Sequence, residues 1–180
     1  MTTFSDLTGD YRLDVARTTL GFVARHTMSS RVTGHFGEFE GSVRLDGGEP
    51  SRSSVRFTVQ AASIDTGNAR RDDQLRGAFL DAASHPAITF ASTGIRHLGG
   101  TRFEVAGGLT VRGVTNPVRG IVVELVHTGV PRVAFAGSVT IDRHQWGVNQ
   151  NFATRLMVSS KVTLRFTVEV ATGRSVSGRP

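Results

Sequence analysis

Hydrophobic and polar residues alternate with a period of two along most of this chain. The clearest run lies near the C-terminus, at Val162, Leu164, Phe166, Val168 and Val170. Because a strand points successive side chains to opposite faces, this pattern predicts strands with one buried face. The same alternation recurs at 20–26, 55–59, 88–90, 103–111 and 133–141, with further strands predicted at 11–14, 34–45 and 118–125. About eight strands close a small barrel, so the sequence predicts an all-β fold built as a closed antiparallel β-barrel.

One segment departs from this alternation. Apolar residues recur at helical spacing between positions 75 and 80, and Asn68 is suited to cap the start of a helix. Gly77 disfavours continuation of the helix. We therefore predict one short helix near residues 68–77.

Glycines interrupt the predicted strands in two groups. One group comprises Gly34, Gly37 and Gly41, and the other Gly107, Gly108 and Gly113. Glycine inside a strand is typical of a bulge or a sharp bend, which a sheet needs in order to curl closed. The two groups therefore favour a barrel.

The composition fits one globular domain. The chain has 180 residues, of which 38% are hydrophobic and 20% charged. We predict an N-terminal segment at 1–9, a barrel domain at 10–171 and a flexible tail at 172–180, where glycine, serine and arginine are frequent. The first ten residues lack the apolar stretch of a secretory signal, and no segment approaches the ~20 apolar residues of a membrane helix, so we expect a cytoplasmic protein that does not span a membrane.

The charge balance is basic, with 21 Lys+Arg against 15 Asp+Glu. Nearly all of the positive residues are arginines, whose planar guanidinium fits phosphate geometry. They are scattered along the chain, and only 7% of the residues are aromatic. This distribution does not favour nucleic acid as a partner.

Motifs for enzymatic chemistry are absent from the sequence. There is no nucleophile elbow, no phosphate-binding loop and no His-Glu-x-x-His. The chain has no cysteine, which excludes a zinc-thiolate site, and its six histidines do not show metal-ligand spacing. We therefore predict no catalytic residue, no metal and no cofactor. An enzyme using His26 or His144 as a base stays open as an alternative.

Two polar clusters lie where predicted secondary structure ends. Arg70, Arg71, Asp72 and Arg76 lie on the predicted helix, and Arg143 and Trp146 follow the strand at 133–141. Together with His26, these residues are candidates to surround an anionic head group at the mouth of a barrel, with Asp72 expected to orient an arginine and not to touch the head group. A solvated helix face explains the first cluster equally well, and Trp146 fits either core packing or the wall of a channel.

Several motifs occur in a fixed order along the chain. They include Tyr11-Arg-Leu-Asp14, His85-Pro86-x-Ile88-x-Phe90 and Arg143-x-x-Trp146-Gly147, and the most specific is Gly107-x-Leu109-Thr110-Val111-x-Gly113-Val114-Thr115-x-Pro117-Val118. In this order, from Tyr11 to Val170, the chain resembles the YceI-like family of polyisoprenoid-binding, lipocalin-like β-barrels. It departs from the family pattern at residues 14–18, at Gln145 and in the loop after Trp146, which is short and passes through Asn149, Gln150 and Asn151.

The resemblance implies a long apolar cavity that holds an isoprenoid or similar amphipathic chain, such as a quinone or polyprenyl phosphate. The hypothesis is non-enzymatic binding, carriage or storage of a long-chain isoprenoid. The predicted tunnel residues are Phe22, Phe57, Phe90, Phe103, Val105, Leu109, Phe135, Val139, Leu164 and Phe166. A stress-related interaction module with a filled barrel is a second alternative. Related proteins suggest a homodimer, but no residue of this chain decides the oligomeric state.

Overall fold

The computed structural model describes residues 3–26, 31–129, 132–148 and 158–172. These residues form one sheet of eleven antiparallel strands. The strands are β1 (Gly9–Leu13), β2 (Thr19–His26), β3 (Arg31–Phe36), β4 (Phe39–Leu45), β5 (Ser54–Gln60), β6 (Ile64–Asp65), β7 (Ala87–Gly99), β8 (Arg102–Val111), β9 (Val114–Gly129), β10 (Arg132–Asp142) and β11 (Val158–Thr172). Every predicted strand falls on one of them, and the predicted run at 34–45 is divided between β3 and β4.

Strand β1 closes the sheet, because one of its edges pairs with β4 and the other with the C-terminal end of β11. The resulting ring of eight strands runs β1-β4-β5-β7-β8-β9-β10-β11. Strand β2 pairs with the preceding part of β11, and β3 and β6 follow beside it. The predicted closed antiparallel barrel is confirmed.

The two ends of the barrel carry different covers. The end that we call the terminal end holds the N-terminal 3₁₀ turn Phe4–Leu7 and the connections after β4, β7 and β9. The opposite end, called the helix end, holds helix α1 (Ala69–Gln74), the turn after β8 and the 3₁₀ turn Arg143–Trp146. Strands that run between these ends place their inward side chains along one axis.

Helix α1 confirms the short helix predicted near 68–77. The Asn68 side chain accepts a hydrogen bond from the backbone N–H of Arg71 at 3.0 Å, which caps the first turn. The helix then widens into a π-helical turn at Leu75–Phe79, with Leu80 N–H donating to the Leu75 carbonyl at 2.9 Å. The helical segment therefore extends slightly past the predicted end at Gly77.

Two clusters of buried side chains fill the two ends of the barrel. The cluster at the terminal end includes Leu7, Tyr11, Val133 and Val170, and the cluster at the helix end includes Ile64, Leu80, Ile121 and Trp146. Partly buried residues such as Val55, Ile95 and Phe166 contact both clusters. The middle of the barrel lies between them.

The glycines that bend the sheet are a subset of those singled out by the sequence. Gly37 lies at the bend between β3 and β4, and β8 changes its register with β9 between Val105 and Gly107. Arg112 and Gly113 connect β8 to β9 with φ of 53° and 73°. Positive φ at both central residues is the type I′ turn that matches the twist of a hairpin. Gly34 and Gly41 have a different role, which concerns the barrel interior.

Candidate ligand-binding cavity

An elongated cavity of about 380 Å³ occupies the middle of the barrel. All ten predicted tunnel residues lie on its wall: Phe22, Phe57, Phe90, Phe103, Val105, Leu109, Phe135, Val139, Leu164 and Phe166. The cavity volume lies near the lower end of the range of about 300–1,000 Å³ that is typical of small-molecule sites. The barrel is therefore packed at its ends and open in between, which does not fit the alternative of a filled scaffold.

Four phenylalanine rings on this wall lie over glycines of the neighbouring strands. A Cβ atom built on Gly41 would lie 2.5 Å from Phe57 Cδ1, and one on Gly107 would lie 2.5 Å from Phe90 Cζ. A Cβ atom on Gly34 would likewise overlap the ring of Phe22, and one on Gly137 would overlap the ring of Phe166. Because glycine has no side chain, each ring occupies space beside the wall instead of the lumen. These glycines thus help to keep the cavity open.

The wall also contains residues that sequence reasoning missed. Val43 and Leu45 line the cavity and alternate with polar residues along β4. The period of two in that strand would have been sufficient to predict that they face inward. Phe4 also lines the cavity, although the domain prediction leaves residues 1–9 outside the barrel. No period in the first nine residues indicates that this segment turns inward.

The terminal end of the cavity is closed by the N-terminal segment. The Phe4 ring lies 4.6 Å from that of Phe103, centroid to centroid, and Leu7 is fully buried beside them. The hydroxyl of Tyr11 donates a hydrogen bond to the Leu7 carbonyl at 2.9 Å, and the Gly47 N–H donates to Thr8 Oγ1 at 2.9 Å. These bonds hold the segment against the barrel, so it forms the floor of the cavity.

At the helix end, Arg143 and Trp146 reach the cavity wall from the 3₁₀ turn that follows β10. The indole Nε1 of Trp146 donates to the Leu109 carbonyl at 2.8 Å, which satisfies its buried donor. Only 2% of Trp146 is exposed. Trp146 is therefore both a core residue and part of the cavity wall. The two roles that the sequence suggested for it, core packing and channel wall, are compatible.

Arg143 is a buried arginine in the lining of a cavity whose surface is almost entirely apolar. Its Nε donates to the Ser159 carbonyl at 3.0 Å and its guanidinium donates to the Val148 carbonyl at 3.3 Å. Burial lowers the pKa of Arg143, whereas the negative charge of Asp142 raises it. Backbone carbonyls therefore hold Arg143 in place at the helix end of the cavity.

A second arginine fastens the covers of the helix end to each other. Arg112, in the turn between β8 and β9, donates from Nη1 to the carbonyl of Phe79 at 3.2 Å and to that of Gly147 at 3.0 Å. Asn116 adds a bond from its side-chain amide to the Gln145 carbonyl at 2.7 Å. The helical segment and the turn after β10 are thereby tied to one hairpin.

The predicted head-group residues on the helix lie away from the cavity wall. Arg71 donates to Thr66 Oγ1 at 2.8 Å, and Arg76 donates to the Ile64 carbonyl at 3.3 Å and to Asp73 at 2.8 Å. Arg70 is exposed, and it does not line the cavity either. The structure thus separates Arg143 and Trp146, which reach the cavity, from Arg70, Arg71, Asp72 and Arg76, which do not. The solvated-face interpretation describes the exposed Arg70, and Arg71 and Arg76 hold the loop before the helix.

Asp72 is a structural carboxylate in this arrangement. It is 6% exposed and accepts hydrogen bonds from both the N–H and the hydroxyl of Thr66. The hydroxyl bond is the main cause that lowers the pKa of Asp72; burial opposes it, and the Thr66 N–H, Arg76 and Arg71 add to it. The carboxylate therefore anchors α1 to the loop that follows β6.

The structure offers little support for the enzyme alternative. His144 is partly exposed beside Asp142, with 3.8 Å between Nδ1 and Oδ1, and it does not line the cavity. The side chain of His26 lies outside the described part of the chain. Among the described residues, no group of three or more His, Asp or Glu side chains is arranged to hold a metal ion. In the same residues, no helix has the length and apolar character needed to cross a membrane.

Comparison with known proteins identifies the family. The model of the YceI-like domain matches residues 11–170, which is nearly the whole barrel. The chain belongs to the YceI-like family. This result confirms the resemblance inferred from the ordered motifs.

Several relatives of this YceI-like protein share about a third of its residues. A UPF0312 protein from Azotobacter vinelandii is 32% identical over 156 residues, covering 83% of this chain and 79% of that protein. A UPF0312 protein from Pseudomonas aeruginosa is 32% identical over 171 residues, covering 91% and 87%. Both alignments extend over most of the two proteins.

Solved structures of similar shape support the fold. BcnA from Burkholderia cenocepacia superposes with a TM-score of 0.81 at 27% identity, covering 87% of this chain and 98% of that protein. A polyisoprenoid-binding domain from Saccharophagus degradans, implicated in plant cell wall breakdown, gives 0.75 at 16% identity and covers 91% and 98%. A Campylobacter jejuni YceI protein gives 0.72 at 22% identity and covers 83% and 90%. At 16% and 22% identity, the similarities to the Saccharophagus degradans and Campylobacter jejuni proteins show a shared fold and nothing more.

Two departures of this YceI-like protein from the family pattern lie off the cavity wall, and the third, in the loop at 149–151, lies outside the described residues. Residues 14–18 surround a 3₁₀ turn, where Arg17 donates to Glu169 at 3.3 Å and the Thr18 hydroxyl donates to the Glu169 carbonyl. Gln145 is exposed. Neither of these two departures changes the cavity lining.

Proposed function

We propose that this YceI-like protein binds, and carries or stores, an isoprenoid or similar amphipathic lipid without catalysing a reaction on it. The apolar chain of the lipid lies in the barrel cavity, and its polar group lies at the helix end. The observation that carries the proposal is the cavity of about 380 Å³, whose wall is almost entirely apolar and includes the buried residue Arg143 at the helix end.

The apolar wall supplies the affinity. Burying carbon contributes about 0.8 kcal/mol per CH₂ group, so about a dozen buried carbons give roughly 10 kcal/mol before ordering costs are subtracted. No reactive group is required for such binding. The polyisoprenoid-binding domain from Saccharophagus degradans shares this fold, which supports an isoprenoid as the chemical class.

The polar group is oriented by the charge at the helix end. Arg143 is 6% exposed and lies on the cavity wall, whereas the floor at the terminal end is formed by Phe4 and Phe103. A phosphate, hydroxyl or quinone oxygen loses less solvation free energy beside a guanidinium than among aromatic rings. The lipid therefore enters with its chain directed toward the terminal end.

The first test is to purify the protein, extract it with organic solvent and identify bound lipid by mass spectrometry. The delipidated protein is then titrated with a prenyl alcohol and a prenyl phosphate. Trp146 is the single tryptophan and lines the cavity, so its fluorescence reports occupancy. We expect saturable binding. Absence of extracted lipid, together with no response to either added compound, would contradict the proposal.

A matched pair of variants on β10 separates binding inside the barrel from binding to its surface. Val139 lines the cavity and Thr140, the next residue, is exposed. Val139→Phe fills part of the lumen and should weaken lipid binding about tenfold or more, because overpacking a filled site costs free energy. Thr140→Phe should bind as the wild type does. Equal binding by both variants would place the lipid outside the barrel.

A further inference from the structure

The floor of the cavity limits how long a bound chain can be. Phe4 and Phe103 both line the cavity at the terminal end, and their rings are in contact with 4.6 Å between centroids. The segment that carries Phe4 is held by the bonds from Tyr11 to Leu7 and from Gly47 to Thr8, and Thr3 donates two bonds to Asp6 within it. A lipid chain that enters from the helix end is therefore blocked by the packed rings of Phe4 and Phe103.

The length available to the chain follows from the strand that spans the cavity. On β8 the wall extends from Phe103 to Val111. Eight residue steps at about 3.3 Å give roughly 26 Å along the strand, or about 20 Å along the axis for a strand tilt near 40°. An extended chain advances about 1.2 Å per bond, as the extended polypeptide does, so about 16 bonds fit. With four chain bonds per prenyl unit, this is about three to four units.

The width of the cavity supports a single chain. The volume of about 380 Å³ is small for a space of this length. The rings of Phe22, Phe57 and Phe166 lie against the wall over their glycines, which leaves the axis of the lumen free for a chain. A volume near the lower end of the range for small-molecule sites fits one extended chain better than a chain folded back on itself.

We infer that the cavity selects a lipid with one apolar chain of about three to four prenyl units, and that Phe4, seated on Phe103, is the residue that sets this limit. The inference rests on the proposed function and narrows its ligand class to chains shorter than the long-chain isoprenoid expected from the sequence. A longer chain requires the N-terminal segment to leave the barrel.

The test is a competition among prenyl alcohols of graded length, presented together in mixed micelles to the full-length delipidated protein. The protein is re-isolated and the bound alcohols are quantified by mass spectrometry. For the wild type, occupancy should rise up to about three or four units and fall about tenfold or more beyond that. Phe4→Ala should shift the maximum to longer chains. Phe39, a half-buried phenylalanine outside the cavity wall, supplies the matched control Phe39→Ala, which should retain the wild-type maximum.

Each outcome has a separate meaning. If the wild type takes up the longest alcohols as readily as the short ones, the length limit is wrong while the proposed function stands. If a limit exists but Phe4→Ala and the milder Phe4→Leu leave it unchanged, Phe4 is not the stop. Failure of the wild type to bind any alcohol, together with no binding of a prenyl phosphate and no extracted lipid, overturns the proposed function itself. Circular dichroism spectra that match the wild type establish that each variant is folded.

Discussion

The aromatic ring of Phe166 on β11 lies over Gly137 on β10, its direct partner in the strand register. A Cβ atom at position 137 would lie only 2.6 Å from Cζ of that ring and 2.8 Å from the Val122 carbonyl oxygen. Glycine at this position lets the ring rest against the sheet, so the cavity beside it stays open. The pair shows how a glycine in one strand affects the volume of the cavity.

The Phe166–Gly137 pair yields a prediction about cavity shape. Gly137→Ala should displace the Phe166 ring toward the lumen, lower the free energy of unfolding by about 1–3 kcal/mol and reduce lipid occupancy. Urea unfolding and extracted lipid measure the two effects. Gly94→Ala is the matched control, because nothing lies within 4 Å of a Cβ atom at Gly94. A Gly137→Ala protein with unchanged stability and occupancy would show that the ring has other room to move.

Arg143 should decide the preference for a charged head group. In Arg143→Met the affinity for a prenyl phosphate relative to the matching prenyl alcohol should fall about tenfold or more, since a charge-assisted hydrogen bond is lost. The ratio of the two affinities cancels any general loss of folded protein. Arg70→Met removes an exposed arginine off the wall and should leave the ratio unchanged. If Arg70→Met lowers the ratio and Arg143→Met does not, the head group lies at the helix instead.

Arg112 should control how firmly the helix end is closed. Arg112→Met removes two bonds from a guanidinium to the carbonyls of Phe79 and Gly147, which should destabilise the fold by about 1–3 kcal/mol and speed lipid exchange. Thermal unfolding and the rate of lipid transfer to vesicles measure these effects. Arg119→Met, at an exposed arginine of β9, serves as the control. Unchanged exchange in Arg112→Met would mean that the lipid enters by another route.

Asp72 should contribute to the acid stability of the protein. The Thr66 hydroxyl is the main cause that lowers the pKa of Asp72 in the folded state from its ordinary value of 3.8. The charged carboxylate therefore stabilises the fold fully at pH values above 3.8. This contribution is lost as the pH falls through the lowered folded-state pKa. Asp72→Asn should therefore be less stable than the wild type at neutral pH, and the difference should shrink in acid.

Urea unfolding at a series of pH values measures this dependence. Asp73→Asn is the neighbouring control, because the Asp73 side chain is 76% exposed and its ion pair with Arg76 is a surface pair. A stability difference between Asp72→Asn and the wild type that stays constant down to acid pH would contradict the assignment.

The alternation of apolar residues along the sequence was sufficient to predict which side chains line the inside of the barrel. Val162, Leu164 and Phe166 share a face because the period of a strand is two, and that face lines the cavity in the structure. The same local rule identified all ten predicted wall residues, and Asn68 marked the start of the helix. Such features depend on neighbours in the chain, so the sequence alone was sufficient to predict them.

Only the tertiary structure decided what closes each end. Phe4 lies in a segment without periodic pattern, and it reaches the cavity because Tyr11 and Gly47 hold that segment against the barrel. Arg143 and Arg71 look alike in the sequence, yet one lines the cavity and the other bonds to Thr66. Contacts of this kind join residues far apart in the chain, and no local period encodes which partners meet. The sequence therefore determined a curled sheet with an apolar inner face. Packing at the two ends of the barrel determined the length of the cavity, its floor and the position of Arg143.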